Sequence, residues 1–317
     1  MVKRIDGFAH ALPEKFLDEM AKIHPTDELM DLRDATHMWD IEHRHSDMDE
    51  FGIDKQCIML SRSTIWQGMD PENALPLVKL ANNTMAELAD RSDRLIPVAT
   101  IPMAGEEFVD EFERCIDNLG MAGAQIFSNV EGRPIDGEEF HGLYDAATGL
   151  DAPLWIHPQL HEWYDWADEY GNDKIFGWLF DTSLALARLV FSGTMQKFPD
   201  LTIIPHHMGG MIPFFHKRIE TFVEAYSHLD YADLDEPVTE YFRRFHPDTG
   251  VNGSISALDA GLDFFGTDQV VFGTDYPFGP NQGRTWMRDT VQSVEDLDVS
   301  DTDREQILHG NIESLIA

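Results

Sequence analysis

The stretch Val270-Val271-Phe272-Gly273-Thr274-Asp275-Tyr276-Pro277-Phe278 reads as a buried strand that ends on a carboxylate and turns away through Tyr-Pro-Phe. A carboxylate at such a strand end is costly unless a cation, or a proton in transit, offsets it. Seven similar apolar runs precede it, at residues 4–9, 55–60, 95–101, 124–127, 153–157, 201–206 and 251–255; the quoted stretch supplies the eighth, at 269–274. Amphipathic stretches lie between them, at 76–90, 106–119, 138–148, 184–198 and 214–225. Strands alternating with helices predict parallel βα units, and eight such units close a (β/α)8 TIM barrel. A doubly wound sheet is the competing α/β architecture. It calls for a glycine-rich turn after an early strand, and none follows 4–9 or 55–60.

The chain carries no internal repeat, low-complexity tract or linker, which predicts one domain over residues 1–317. Two excursions interrupt the alternation. Residues 11–50 form a polar, largely helical insertion after the first strand, and 157–176 form a long loop after the fifth, with Trp163, Tyr164, Trp166 and Tyr170. Long aromatic loops at the catalytic end of a barrel serve as lids or as satellite packing clusters. At 317 residues and 43% hydrophobic, the chain can bury a large core. Its formal net charge of −35, from 58 acidic against 23 basic residues, repels nucleic acid and anionic membrane, so neither is an expected partner. The acids are spread along the chain and lysine is scarce, a pattern suited to high salt, where screening relieves self-repulsion. Cys57 and Cys115 sit in apolar or amphipathic runs and are expected as free thiols in a reducing compartment. There is no signal-like apolar core or membrane-spanning run; the expectation is a soluble cytoplasmic protein.

His10, His157, His207 and Asp275 each fall at or just beyond the C-terminal end of an expected strand: the first, fifth, sixth and eighth. In a closed barrel those ends meet on one face. One histidine on an apolar run is ordinarily a hydrogen-bonded core residue, but four polar side chains at strand ends make a pattern. Neutral imidazoles with one carboxylate suit a divalent ion such as zinc, whose catalytic sites use three protein ligands. Such an ion acidifies water, and a further histidine can move protons. His206 adjoins His207; in extended chain neighbours point oppositely, and the Met-Gly-Gly that follows assigns the inward place to His207. The histidine-rich run from His37 through His43 and His45 reads as a solvated helix face, since alternate helical positions diverge. Trp39 or His37 lining a pocket is the other reading. His161 has no assigned role, Asp248-Thr249 is taken as structural, and Thr182-Ser183 as a helix cap.

Arg4-Ile-Asp6-Gly-Phe8-Ala-His10-Ala-Leu-Pro13, Pro153-Leu-Trp-Ile-His157-Pro158, Ile204-Pro-His206-His207-Met-Gly-Gly, Phe272-Gly-Thr-Asp275-Tyr-Pro and Ile307-Leu-His-Gly-Asn311 occur in this order. Together they resemble the amidohydrolase superfamily, in the branch that contains aminocarboxymuconate-semialdehyde and resorcylate decarboxylases. The resemblance implies a (β/α)8 barrel with one divalent metal ion, Zn2+ by expectation, held by His10, His157 and Asp275. It makes His207 the acid/base. Arg62, in Ser61-Arg62-Ser-Thr-Ile-Trp66, resembles an arginine that holds a substrate carboxylate, with Trp66 beside it. Arg218 resembles an arginine that reaches a neighbouring subunit's site, which implies a homodimer. Guanidinium forks match planar carboxylates, and surface ion pairs are the plainer reading of both. One departure stands out. Phe8 occupies a place where the family has a metal-binding His or Glu, and a phenyl ring cannot ligate. Three ligands remain, enough for zinc; chemistry without a metal is the alternative.

The function expected is a metal-dependent carboxy-lyase acting on a small unsaturated or aromatic carboxylic acid, with Arg62 orienting the carboxylate and His207 or Asp275 delivering the proton. Hydrolysis of an amide, ester or lactone, possible without metal because of Phe8, needs the same groups. A non-catalytic binding barrel is the third reading, and buried ionisable groups at strand ends speak against it.

Overall fold

Parallel strands flanked by helices make up a computed structural model that describes residues 2–23, 35–60, 63–66, 68–159 and 169–316. A three-stranded sheet has the order β1 (Ile5–Ala11), β2 (Lys55–Leu60), β3 (Leu95–Pro97). A four-stranded sheet has the order β4 (Ala99–Thr100), β5 (Ala124–Phe127), β6 (Leu154–His157), β7 (Ile203–Pro205). All these pairings are parallel. The expected strand at 95–101 is divided: Pro97 has no N–H to give a ladder, and Val98 donates instead to Ile58 across the break (2.9 Å). Further backbone bonds lie outside the two sheets. His246 donates to Ile203 (2.9 Å), Val271 to Pro247 (2.9 Å), Gly7 to Phe272 (2.7 Å) and His10 to Tyr276 (2.6 Å).

The helices follow their apolar periodicity. Glu106–Leu119 matches its expected span and ends on Gly120 in the left-handed conformation (φ +63°), where glycine carries no Cβ penalty. Pro71–Ala89 begins a turn earlier than expected, because Pro71 takes a first-turn position that needs no N–H donor. The insertion after β1 contributes the helices Glu14–Ile23 and Ile41–Phe51, the latter capped by Asp40, whose carboxylate accepts from the Glu42 and His43 amides. Of the aromatic loop, Trp163, Tyr164, Trp166 and His161 lie outside the described residues, and Tyr170 is exposed.

The strand expected at 251–255 does not form. Asn252 and Gly253 both take positive φ (+53° and +81°), so the chain turns there, and the helix Ile255–Phe265 begins at once. The extended segment lies earlier, where Asp248 bridges Val271 in parallel. That single bridge is all that the run at 269–274 contributes as ladder. Between the strands lies a small apolar layer of Ile5, Phe8, Cys57, Met59, Val98, Trp155, Ile204 and Val271, closed at one end by Ile312. Each buried side chain of this size contributes about 1.5–3 kcal/mol. The Trp155 indole also donates to the Gly7 carbonyl across the layer (2.8 Å). Both cysteines are buried and unpaired. Among the described residues, no helix is long and apolar enough to cross a membrane.

Candidate active site

The site grows from the end of that apolar layer. His10 lies within β1, not after it, and residues two apart on a strand share a face. Phe8 and His10 therefore both turn inward, with rings 5.6 Å apart and edge to face. His10 is fully buried, and neither ring nitrogen has a hydrogen-bond partner among the described residues. Its Nε2 lies 3.3 Å from Asp275 Oδ1. The Asp275 amide donates to the Phe8 carbonyl (3.0 Å), which ties the carboxylate to β1. Asp275 itself sits at φ +62°, a left-handed backbone that aspartate tolerates better than most residues.

His206, expected to face away, points into the same cluster. Its Nε2 is 3.4 Å from Asp275 Oδ1, and its Nδ1 donates to Asp248. His207 is not excluded by this. The chain leaves the extended conformation at His207 (φ +57°) and Met208 (φ +54°), so strict alternation fails and the two imidazoles lie 3.6 Å apart, centroid to centroid. Asp248 anchors the turn: its Oδ1 accepts from the amides of His207 (3.0 Å) and Gly250 (2.8 Å). Gly250 is required by close approach, since a Cβ there would lie 2.8 Å from His206 Cε1. Asp248, read from sequence as structural, is thus in direct contact with the cluster.

His157, at the end of β6, donates from Nδ1 to the Pro158 carbonyl (2.7 Å). A carbonyl only accepts, so the proton is on Nδ1 and Nε2 is left as a lone-pair donor. Its ring lies 5.2 Å from that of His10 and 5.9 Å from that of His206. His207 stacks on Trp178 (6.2 Å) and its Nδ1 is buried without a partner among the described residues.

Electrostatics sort these groups. Burial alone would raise Asp275, but the His10 and His206 imidazoles outweigh it and hold its carboxyl well below the usual range. Burial alone would lower His206, and the Asp248 and Asp275 carboxylates carry it up to about 10. Burial lowers His10, His157 and His207, the last to about 3, with the neighbouring His206 charge adding to the effect there. Beneath them Asp6 accepts from the Thr274 amide (3.0 Å), the Thr274 hydroxyl (2.5 Å) and Gln56 (2.9 Å). Its burial pushes the carboxyl up to about 6.

The donor set fits a divalent ion. His10, His206 and Asp275 each offer one ligand atom, all within 4.8 Å of one another. Two of those atoms are buried imidazole nitrogens with no hydrogen-bond partner among the described residues, an arrangement that is expensive unless a cation is shared. Of the other expected residues, Arg62 lies outside the described ones. Trp66 is 2% exposed and packs on Phe16 (6.3 Å). Arg218 is exposed on the helix Ile212–Ala225, its guanidinium 5.9 Å over the ring of Phe222. In the histidine-rich run, His45 pairs with Ser92 (2.8 Å) and His43 lies 3.4 Å from Asp47.

Comparison with known proteins agrees with the cluster. A family model described as amidohydrolase matches residues 5–316. The 2-amino-3-carboxymuconate-6-semialdehyde decarboxylase of Dictyostelium discoideum is 29% identical over 280 residues, spanning 87% of this chain and 76% of that protein. The crystal structure of 5-carboxyvanillate decarboxylase from Sphingomonas paucimobilis superposes with a TM-score of 0.88 at 25% identity, over 100% of this chain and 99% of that one. A dihydroxybenzoic acid decarboxylase from Polaromonas sp., with bound manganese and the inhibitor 2-nitroresorcinol, gives a TM-score of 0.85 at 25% identity, over 100% of this chain and 97% of that one.

Proposed function

We propose that this protein, which belongs to the amidohydrolase family, is a metal-dependent, non-oxidative decarboxylase of a small aromatic or unsaturated carboxylic acid. The observation that carries the reading is the convergence of unpartnered imidazole nitrogens on one buried carboxylate, with a further imidazole, His207, beside them. Similarity to decarboxylases over the whole chain selects the reaction among those such a site can run. The bonds between the two sheets, and those from Ile203 through Val271 back to Gly7 and His10, support a closed (β/α)8 barrel.

In this reading His10, His157 and Asp275 hold the ion. The bound ion supplies Lewis-acid polarisation of a substrate oxygen next to the carbon that loses carbon dioxide. Arg62 grips the leaving carboxylate and Trp66 backs it. The carbon–carboxylate bond breaks, its electron pair stays on the carbon, and a proton takes the place of carbon dioxide. Burial keeps His207 neutral and makes its imidazolium costly, so it serves as a transient carrier that relays a proton from an acidic substrate hydroxyl or water to that carbon. Arg218 serves a partner's site across a homodimer, a role supported by exposed Phe214 (77%), four residues earlier on the same helix. Zinc suits the imidazole-rich donors, and manganese, held by the Polaromonas enzyme, is the other ion to load.

The test is carbon dioxide release from a panel of hydroxylated benzoates and muconate-type acids. Turnover is expected with at least one, lost on dialysis against a chelator and restored by Zn2+ or Mn2+. Hydrolysis of a lactone or ester panel with no carbon dioxide from any acid would reverse the assignment.

The net charge of −35 supports a cytoplasmic enzyme adapted to high salt. The Debye length shrinks from about 10 Å at 0.1 M to about 3 Å at 1 M salt. Raising KCl over that range is expected to lift the thermal midpoint by several degrees, followed by circular dichroism; a midpoint that stays level or falls would argue against the adaptation.

A further inference from the structure

We propose that His206 is itself a metal ligand, so that His10, His206 and Asp275 form the core of the ion site, with Asp248 fixing the His206 tautomer and Phe8 fixing its plane. This rests on the reading that the site holds a divalent ion, and it adds to His10, His157 and Asp275 a residue that alternation along the chain had turned away.

Four observations carry it. First, the spacing is that of a coordination sphere. Ligand atoms about 2.0–2.2 Å from one ion are separated from each other by about 3.0–3.5 Å. The separations from Asp275 Oδ1 to His10 Nε2 and His206 Nε2 are 3.3 and 3.4 Å. Charge-assisted hydrogen bonds would be shorter, about 2.7–2.9 Å, so both contacts with Asp275 are long for such a bond, and neither nitrogen makes a well-formed one among the described residues. Second, His206 donates its Nδ1 proton to Asp248, the carboxylate–histidine arrangement that orients a ligating imidazole and raises its basicity. Asp248 is fully buried, and its other oxygen is already engaged by two backbone amides.

Third, Phe8 lies flat against His206, with centroids 3.9 Å apart and planes 9° from parallel. The phenyl ring cannot bind metal, yet it holds the imidazole so that Nε2 is aimed at Asp275. Fourth, glycines make the room this needs. A Cβ at position 273 would lie 3.0 Å from Phe8 Cβ and 2.9 Å from Asp248 Cβ, and one at position 250 would press on the His206 ring. The aromatic residue at position 8 and the imidazole at 206 thus act as one unit: the ring that cannot ligate supports the one that can. His207 is left for proton movement, stacked on Trp178.

The test measures Mn2+ binding without substrate, by electron paramagnetic resonance on the full-length protein, with carbon dioxide release followed separately. Wild type is expected to take up one Mn2+ per chain with nitrogen couplings from at least three imidazoles. His206→Asn is expected to lose affinity at least about 100-fold and one set of nitrogen couplings. Asp248→Asn is expected to lose about 10–100-fold, the range for an outer partner of a ligating histidine. His207→Asn is expected to keep the affinity within threefold although its turnover falls. The double variant F8H/H206G, which moves the imidazole back to position 8, is expected to recover binding. Secondary structure is checked by circular dichroism, and Asp248→Asn decides the matter if His206→Asn does not fold. Wild-type affinity and nitrogen couplings in both His206→Asn and Asp248→Asn would overturn the inference while leaving the decarboxylase reading intact. A wild-type protein that releases carbon dioxide but takes up no Mn2+ or Zn2+ would overturn both this inference and the metal requirement.

Discussion

His207→Asn is expected to lower kcat for carbon dioxide release by about 10²–10⁴-fold, the span that a positioned proton-transfer group supplies. Asparagine is the informative replacement. Position 207 sits at φ +57°, a backbone that asparagine adopts more readily than most residues, so the turn and the amide bond to Asp248 can survive. What disappears is the imidazole, whose Nδ1 is buried without a partner among the described residues. His10 and His206 both face Asp275, and His157 is committed through Nδ1 to the Pro158 carbonyl. The sign of any pH effect follows. Burial lowers His207 to about 3, so its neutral form prevails above that value and the wild-type rate should show no acid limb from this residue between pH 5 and 8. Single-turnover carbon dioxide release beside Mn2+ uptake separates the outcomes: unchanged turnover would remove His207 from proton transfer, whereas loss of both turnover and metal would place it among the ligands.

Much of this site was legible because residue type and strand position agree. His10 and Asp275 could be assigned to one end of parallel strands from the apolar runs that precede them, and the structure brings them within 3.3 Å. Where local chemistry is unambiguous the elements match as well. Lys55–Leu60 ends in the apolar run Cys57-Ile-Met-Leu60, Ala124–Phe127 is apolar but for Gln125, and Glu106–Leu119 has charged and apolar residues at helical spacing with a glycine at its end. The failures share a cause. Residues 251–255 contain Val and Ile and so resemble a strand, but Asn252-Gly253 is a turn signal, and two positive φ values override β propensity. The same effect, 46 positions earlier, turns His206 inward against strict alternation. Alternation holds only while the backbone stays extended, and the Met-Gly-Gly that follows His207 marked the place where it ceases to be so. Asp248 carries no local signal at all. Its partner His206 is 42 positions away, and backbone bonds from Asp248 to Pro205 (3.3 Å) and from Met208 to Asp248 (3.1 Å) bring the two together. Arg62 lies outside the described residues.

The buried network beneath His10 leads to the second large effect. Arg44→Met is expected to destabilise the fold by about 3–5 kcal/mol, the cost of removing one partner from a buried charged cluster. Arg44 comes from the helix Ile41–Phe51 of the insertion after β1 and is 2% exposed. Its guanidinium donates to Gln56 Oε1 (2.8 Å) and to the His10 carbonyl (2.5 Å), and lies 4.8 Å over the ring of Tyr276. Gln56 passes its own amide proton to Asp6, and the Tyr276 hydroxyl donates to buried Asp47 (2.8 Å). Burial lowers the Arg44 pKa, while Tyr276, Asp6 and Asp47 favour its charge. Methionine fills the same volume but brings no donor. It leaves the Gln56 and His10 oxygens unpaired, at about 1–3 kcal/mol for each buried polar group, and takes from Asp6 the buried cation that faces it. Asp47 keeps its ion pair with Arg284. Arg218→Met, an exposed site on Ile212–Ala225, is the contrast and should change stability by no more than about 0.5 kcal/mol. Urea unfolding in high salt measures both. If Arg44→Met unfolds within about 1 kcal/mol of wild type, the network is not a structural keystone; if it is destabilised as expected, Mn2+ affinity should fall with it, because the carbonyl that Arg44 holds belongs to the residue carrying the first imidazole of the site.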